Sequence, residues 1–182
     1  MSIAPGTHAI SPAEGTLTIH TGKHGAAALA GHNLRIEVTA WSATVTLGAA
    51  PAETSLELTA DSKSLRVLEG TGGAKSLGDD DKASIAKTIN KEVLKGTDIA
   101  FRSTGVDGDG NGRLSVQGDL TLSGKTQPIT FDLALGDDGR VTGSATITQS
   151  TWGMKPYSTL FGTLKVNDDV EVRIDATLPA AG

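Results

Sequence analysis

Along most of the chain apolar and polar residues alternate with a period of two, the repeat that sends successive side chains to opposite faces of a β-strand. The last segment is the cleanest case. Val170, Val172, Ile174, Ala176 and Leu178 alternate with Glu171, Arg173, Asp175 and Thr177, so one face is apolar and the other wet. Leu114, Val116, Gly118, Leu120 and Leu122 repeat the pattern, as do Ile129, Phe131, Leu133 and Leu135. Residues 141–147, ending on Ile147, follow with smaller side chains. Between these runs stand DGDGNG at 107–112, SGKTQP at 123–128 and GDDG at 136–139, whose Gly, Asp and Asn tolerate the positive φ of tight turns. The connections are therefore expected to be hairpins.

Upstream, Leu34, Ile36, Val38 and Ala40 fall on even positions, whereas Trp41, Ala43, Val45 and Leu47 fall on odd ones. A slip of one residue at 40–41 predicts a β-bulge that bends one long strand. Leu56, Leu58 and Ala60 continue the alternation, which restarts at Leu65 and Val67 after Asp61-Ser-Lys-Ser. One stretch reads as helix. Ile85, Ile89, Val93 and Leu94 recur at spacings of three to four, after Asp79, Asp80 and Asp81 and before Lys91, Lys95 and Gly96, so residues 79–95 carry acid first, base last and a glycine stop. A short helical turn is expected at 25–30, GAAALA.

About eight antiparallel strands, each apolar on one face, must close into a barrel or stack as a sandwich. The pattern favours an all-β, eight-stranded antiparallel barrel with one main helix and one short helical turn, in a single domain over 1–182. Long strands and a bulge suit coiling, and a barrel of this size holds either side chains or one small ligand. Small residues at many inward positions favour an elongated cavity.

Composition narrows the function. The 182 residues include 23 glycines and no cysteine, which removes disulfides, thiolate metal sites and cysteine nucleophiles. Sixteen basic residues against 21 acidic give a net charge of −5, and the basic ones are scattered singly, so nucleic acid is not an expected partner. No apolar run is long enough to cross a bilayer, and MSIAPGTHAI does not resemble a signal peptide, so a cytoplasmic location is expected, with at most transient membrane contact. The pattern leaves monomer and homodimer both open.

Several motifs hint at chemistry and stop short of it. Asp107, Asp109, Asn111 and Gly112 match the opening of an EF-hand loop, but its twelfth position is Gly118 rather than a bidentate Glu, and strands flank it; a polar hairpin turn is the better reading. GTGGAKS at 70–76 lacks the glycine spacing of a phosphate loop, because Ala74 and Glu69 stand where glycines are needed. Ser84 and Lys87 form S-x-x-K without the companion motifs of the acyltransferases that use it. His20 and His24 are spaced i, i+4, but not on a helix, and His8, His20, His24 and His32 read as loop or rim residues. No catalytic constellation, metal site or cofactor is expected. Trp152, Met154, Tyr157 and Phe161 concentrate large side chains within ten positions, as core anchors or as a loop over a cavity entrance.

Four ordered blocks carry a resemblance. IAFRST at 99–104, VQGDLTLSGKTQPITFDL at 116–133, ATITQSTWGM at 145–154 and VEVRID at 170–175 are similar to successive blocks of the YceI-like family, and Lys23-His24 resembles its Lys-His pair after the first strand. The family's aromatic-rich segment after the helix is replaced here by KEVLKGTD. The resemblance implies a lipocalin-like barrel that encloses a long apolar chain without covalent chemistry: a polyisoprenoid, an isoprenoid quinone or a fatty-acid-like lipid. Strand phase makes the candidate lining Leu17, Ile19, Ile36, Val38, Ile99 and Phe101, followed by Leu120, Phe131, Leu133, Ile147 and Val172, with Trp152, Met154 and Phe161 near the entrance. Two other readings remain open at this point, a packed, ligand-free interaction module linked to stress and an enzyme that uses the pocket.

Overall fold

The computed structural model describes residues 3–179. In chain order the strands are β1 (Gly6–Ile10), β2 (Gly15–Thr21), the two-residue β3 (Lys23–His24), β4 (Asn33–Val38), β5 (Trp41–Leu47), β6 (Ser55–Ala60) and β7 (Leu65–Thr71). Helix α1 (Asp79–Thr88) follows, then β8 (Ile99–Gly108), β9 (Arg113–Leu122), β10 (Lys125–Leu135) and β11 (Arg140–Thr148). The short β12 (Ser158–Thr159) and β13 (Leu164–Val166) precede the last strand, β14 (Asp169–Thr177). Eleven of these form one antiparallel sheet in the order β1-β5-β6-β8-β9-β10-β11-β14-β2-β4-β7, and β12-β13-β3 form a small second sheet.

The main sheet has eleven strands where the hydrophobic pattern predicts eight, because three long staves are each interrupted once. The breaks fall at 11–14, 39–40 and 61–64. Ser11 and Glu14 fold the first into a turn, with the Glu14 carboxylate accepting from the Ser11 backbone N–H and hydroxyl. The other two lie side by side, joined by Thr39 N–H to the Ser64 carbonyl and Asp61 N–H to the Ala40 carbonyl, both 3.0 Å. The expected slip at 40–41 is thus a full break. True bulges sit elsewhere, where the β4–β7 register shifts between Arg35 and Ile36 and the β8–β9 register between Ser103 and Gly105. The second inserts Thr104, which moves the buried phase of β8 from Phe101 to Val106.

Chain continuity across the breaks curls the sheet. β2 pairs with β4, β5 with β6, and β6 with β8, so the wall runs from β14 round towards β9 as a half-barrel. At one end the hairpin turns close tightly over apolar side chains, where Leu47, Leu114, Leu135 and Leu178 leave a void of only about 20 Å³. Val116 and Val106 are only 0% and 2% exposed. His8 is buried there too, against the rim placement expected of the histidines, and its Nδ1–H donates to the Pro179 carbonyl at 2.7 Å.

The helical segment covers the other end. α1 packs on β7, whose outer edge carries no strand. The Asp81 carboxylate accepts from the Gly78 N–H at 3.0 Å, satisfying one free donor at the helix start. After Thr88 the expected helix continues as a wide π-turn, Ile89–Val93, in which Leu94 N–H bonds to the Ile89 carbonyl. Val93 and Leu94, at the end of this turn, are both buried. Lys95 and Gly96, at φ 55° and 66°, then end it. The expected second turn is a 3₁₀ turn at Ala28–Ala30.

Candidate functional site: an apolar cavity beneath the helix

The inward faces of the staves enclose a cavity of about 900 Å³. Its walls are apolar. Leu17 and Ile19 enter from β2, Ile36 and Val38 from β4, Ile99 and Phe101 from β8, Leu120 from β9, Phe131 and Leu133 from β10, Ile147 from β11 and Val172 from β14. Strand phase therefore brings eleven of the proposed positions together, because a period of two leaves only one face for each residue. Met154 joins them from the turn after β11. Ile19, Ile99, Phe131 and Val172 point inward yet are only half-buried, the signature of apolar side chains facing a space that solvent can enter. Val45, Leu56, Leu133 and Val141 border both this cavity and the small void below, and so form its floor.

Two details shape the wall. Phe101 and Phe131 stack edge-on, with ring centroids 5.3 Å apart and planes at 60°. Gly118, opposite the β8 bulge, lies under the Phe101 ring; a Cβ there would stand 2.4 Å from Cζ and 2.5 Å from Cε2. The missing side chain is what lets the ring lie against β9 instead of projecting into the cavity.

Trp152 and Phe161 do not line the space. Trp152 is 4% exposed and turns into the wall, where its indole N–H donates to the Leu120 carbonyl at 2.8 Å. Gly153, at φ 69°, closes that turn and sends Met154 the other way, into the cavity. Phe161 projects fully into water from a tight turn outside the opening. Periodicity could place neither residue, since both lie where the chain leaves regular structure.

Most of the polar lining gathers at the opening, between the 70–77 loop with α1 on one side and the β3, β12, β13 sheet on the other, while Glu57, Ser144 and Gln149 border the wall. Lys23 Nζ donates to the carbonyls of Gly31 and Gly72, the latter at 2.6 Å, and His32 Nε2–H donates to the Lys75 carbonyl at 2.7 Å. These bonds hold the glycine loop across the rim. A Cβ on Gly73 would overlap the His32 ring at 2.0 Å, so the glycines of GTGG serve close packing. Ser84, Ile85, Thr88 and Ile89 complete that lip, with Ile85 and Ile89 from the apolar face that the helical spacing predicts.

The other motifs stay apart from the cavity. Asp109 Oδ1 accepts from the backbone N–H groups of Asn111 and Arg113, which fold its own turn and hold its carboxyl below the usual carboxylate range. His20 bonds to Thr18 Oγ1 and His24 to Asn167 Oδ1, so the two do not share a ligand. Among the described residues no three His, Asp or Glu side chains are grouped to hold a metal, and no helix is long and apolar enough to cross a membrane.

A family model for the YceI-like domain matches residues 8–178. The chain belongs to the YceI-like family. Two solved structures show how far the fold extends. The YceI-like chain is similar to Burkholderia cenocepacia BcnA, with TM-score 0.64 and 18% identity over 88% of this chain and 94% of that one. It is also similar to a Campylobacter jejuni YceI protein, with TM-score 0.57 and 17% identity over 79% of this chain and 84% of that one. Identity at this level establishes a shared fold. No curated protein matches the chain.

Proposed function

We propose that this YceI-like chain binds and carries a long apolar ligand with a small polar end, of polyisoprenoid, isoprenoid quinone or fatty-acid-like type, without covalent chemistry. The cavity carries the reading. At about 30 Å³ per water molecule, its volume corresponds to roughly thirty waters, and walls of Ile, Leu, Val and Phe offer them few hydrogen-bond partners. An apolar chain gains about 0.8 kcal/mol per methylene buried, so ten methylenes supply about 8 kcal/mol before the ligand's ordering is subtracted. Lys23, His32 and Tyr157 gather polar atoms at the rim, which supports an orientation with the tail inside and the polar end outward. The hydrogen-bonded bridges over that rim support retention once the ligand is in.

The test is mass spectrometry of the organic extract from protein purified without detergent, beside native mass spectrometry of the intact chain. A stoichiometric isoprenoid or acyl species is expected. A bare mass that persists after incubation with quinones and long-chain lipids would refute the proposal. Leu133→Trp adds an indole at the cavity floor and should reduce uptake of the longest ligands while the protein stays folded; unchanged uptake would remove Leu133 from the binding surface.

A further inference from the structure

Among the described residues four large apolar side chains stand in water, and all four belong to one cap beside the cavity opening. Leu29 is 86% exposed, Leu160 50%, Phe161 109% and Tyr157 41%. The cap is a single unit. β13 pairs with both β12 and β3, and the turn that carries Leu29 is tied to it by Ala27 N–H donating to the Thr163 carbonyl at 2.8 Å. Ala30, Tyr157 and Thr159 reach from the same unit to the cavity rim.

The backbone makes this exposure more notable. Leu160 and Phe161 sit at φ 51° and 55°, the left-handed region that bulky residues rarely occupy. Two consecutive large side chains are thus held in an unfavourable conformation that presents them to solvent, the combination in which strain serves a function. Charge points to what they meet. Residues 22–33 and 150–166 contain Lys23, Lys155 and Lys165 and no Asp or Glu, in a chain of net charge −5. Lys155 and Lys165 are exposed and take part in none of the five ion pairs among the described residues, all of which use arginine. The opposite lip begins with Asp79, Asp80 and Asp81.

From these observations we infer that the cap is a membrane-docking surface: Leu160, Phe161 and Leu29 enter the interfacial layer of an anionic lipid bilayer while Lys155 and Lys165 meet its headgroups. The acidic lip tilts away from the same surface, so the cap side leads. In this pose the cavity opening lies at the bilayer surface, and an apolar chain moves between the two without crossing water. The docking surface stands independently of the ligand's identity, and the experiment separates them.

The experiment is flotation of the full chain with phosphatidylcholine vesicles, with and without phosphatidylglycerol. The wild type should float with the mixed vesicles and more weakly with phosphatidylcholine alone. Leu160→Asn with Phe161→Asn keeps residues that tolerate left-handed φ and should lower partition at least about tenfold, since burial of one large apolar side chain is worth more than a factor of ten. Lys155→Gln with Lys165→Gln should erase the preference for anionic vesicles. Filling of the cavity by a solvatochromic apolar dye, added from solution, should stay as in the wild type for the asparagine variant, whose two positions lie outside the cavity lining. The inference is overturned if the wild type does not float, if the asparagine variant floats equally well, or if light scattering shows a dimer that the asparagine variant dissolves, which would make the cap a contact between protein chains.

Discussion

Gly118→Ala adds a single methyl group to β9, and the geometry fixes where it must go. The new Cβ would lie 2.4 Å from Phe101 Cζ and 2.5 Å from both Phe101 Cε2 and the Arg102 carbonyl oxygen. Carbon atoms pack at about 3.5–4.0 Å, so the ring must retreat by about 1 Å or swing towards the cavity, and the bulge at Thr104 must yield as well. Overpacking of this kind costs about 1–3 kcal/mol, offset by the roughly 0.5–1 kcal/mol that alanine gains over glycine inside a strand. A net loss of about 1–2 kcal/mol is expected. Urea unfolding should show it as a lower midpoint at unchanged m-value, and thermal melting as a drop of about 2–4 °C per kcal/mol. A displaced ring also takes up cavity space, so uptake of an apolar fluorophore should fall together with stability. In a Phe101→Leu background the clashing ring atoms are gone and only the carbonyl contact remains, so the alanine should cost at least about 1 kcal/mol less there. A fully stable Gly118→Ala, or an equal cost in both backgrounds, would refute the view that this glycine exists to seat Phe101.

Three other outcomes follow from single contacts. Trp152→Phe leaves the buried Leu120 carbonyl without its indole partner and should lower stability by about 1–3 kcal/mol in the same urea assay; a loss below about 0.5 kcal/mol would mean that water takes over the bond. Lys23→Met removes the donor shared by Gly31 and Gly72, and amide exchange should accelerate across 70–77 and the first turn of α1 while β9 and β10 stay protected; uniform protection would show that the loop holds without it. His20 has its pKa lowered by burial first and then by Arg173, so the unfolded chain takes up that proton more readily. Its contribution to stability is therefore present above the ordinary value of about 6.5 and declines as pH falls below it, and His20→Gln should flatten the unfolding midpoint between about pH 7 and 5.

The wall of this protein is legible in its sequence, and the ends are not. Val170 to Leu178 and Leu114 to Leu122 face the interior on alternate residues because a half-buried strand allows no other phase, which is why Leu120, Phe131 and Val172 could be placed on the lining without coordinates. Phe101 and Val106 show the limit of that rule. Their spacing of five makes sense only once Thr104 is inserted as an extra residue opposite Gly118 and Gln117. Trp152 and Phe161 lie in turns where direction depends on single φ values, positive at Gly153, Leu160 and Phe161, and the sequence placed both near the entrance without telling that one turns into the wall and the other into water. Lys23 is less visible still. Its partners are backbone carbonyls at Gly31 and Gly72, and any residue type could have supplied them.

The breaks at 39–40 and 61–64 face one another, and the break at 11–14 interrupts the neighbouring stave, so together they form a crease rather than three separate defects. A crease divides a wall mechanically. On the closed side, leucines and valines interlock around a void of about 20 Å³, and bending there would have to compress a packed core. On the open side the same staves border about 900 Å³ of space and can flex with little to compress. The structure thus joins a tightly packed base to an upper wall with free space behind it, and any deformation of the staves is expected on the upper side of the crease.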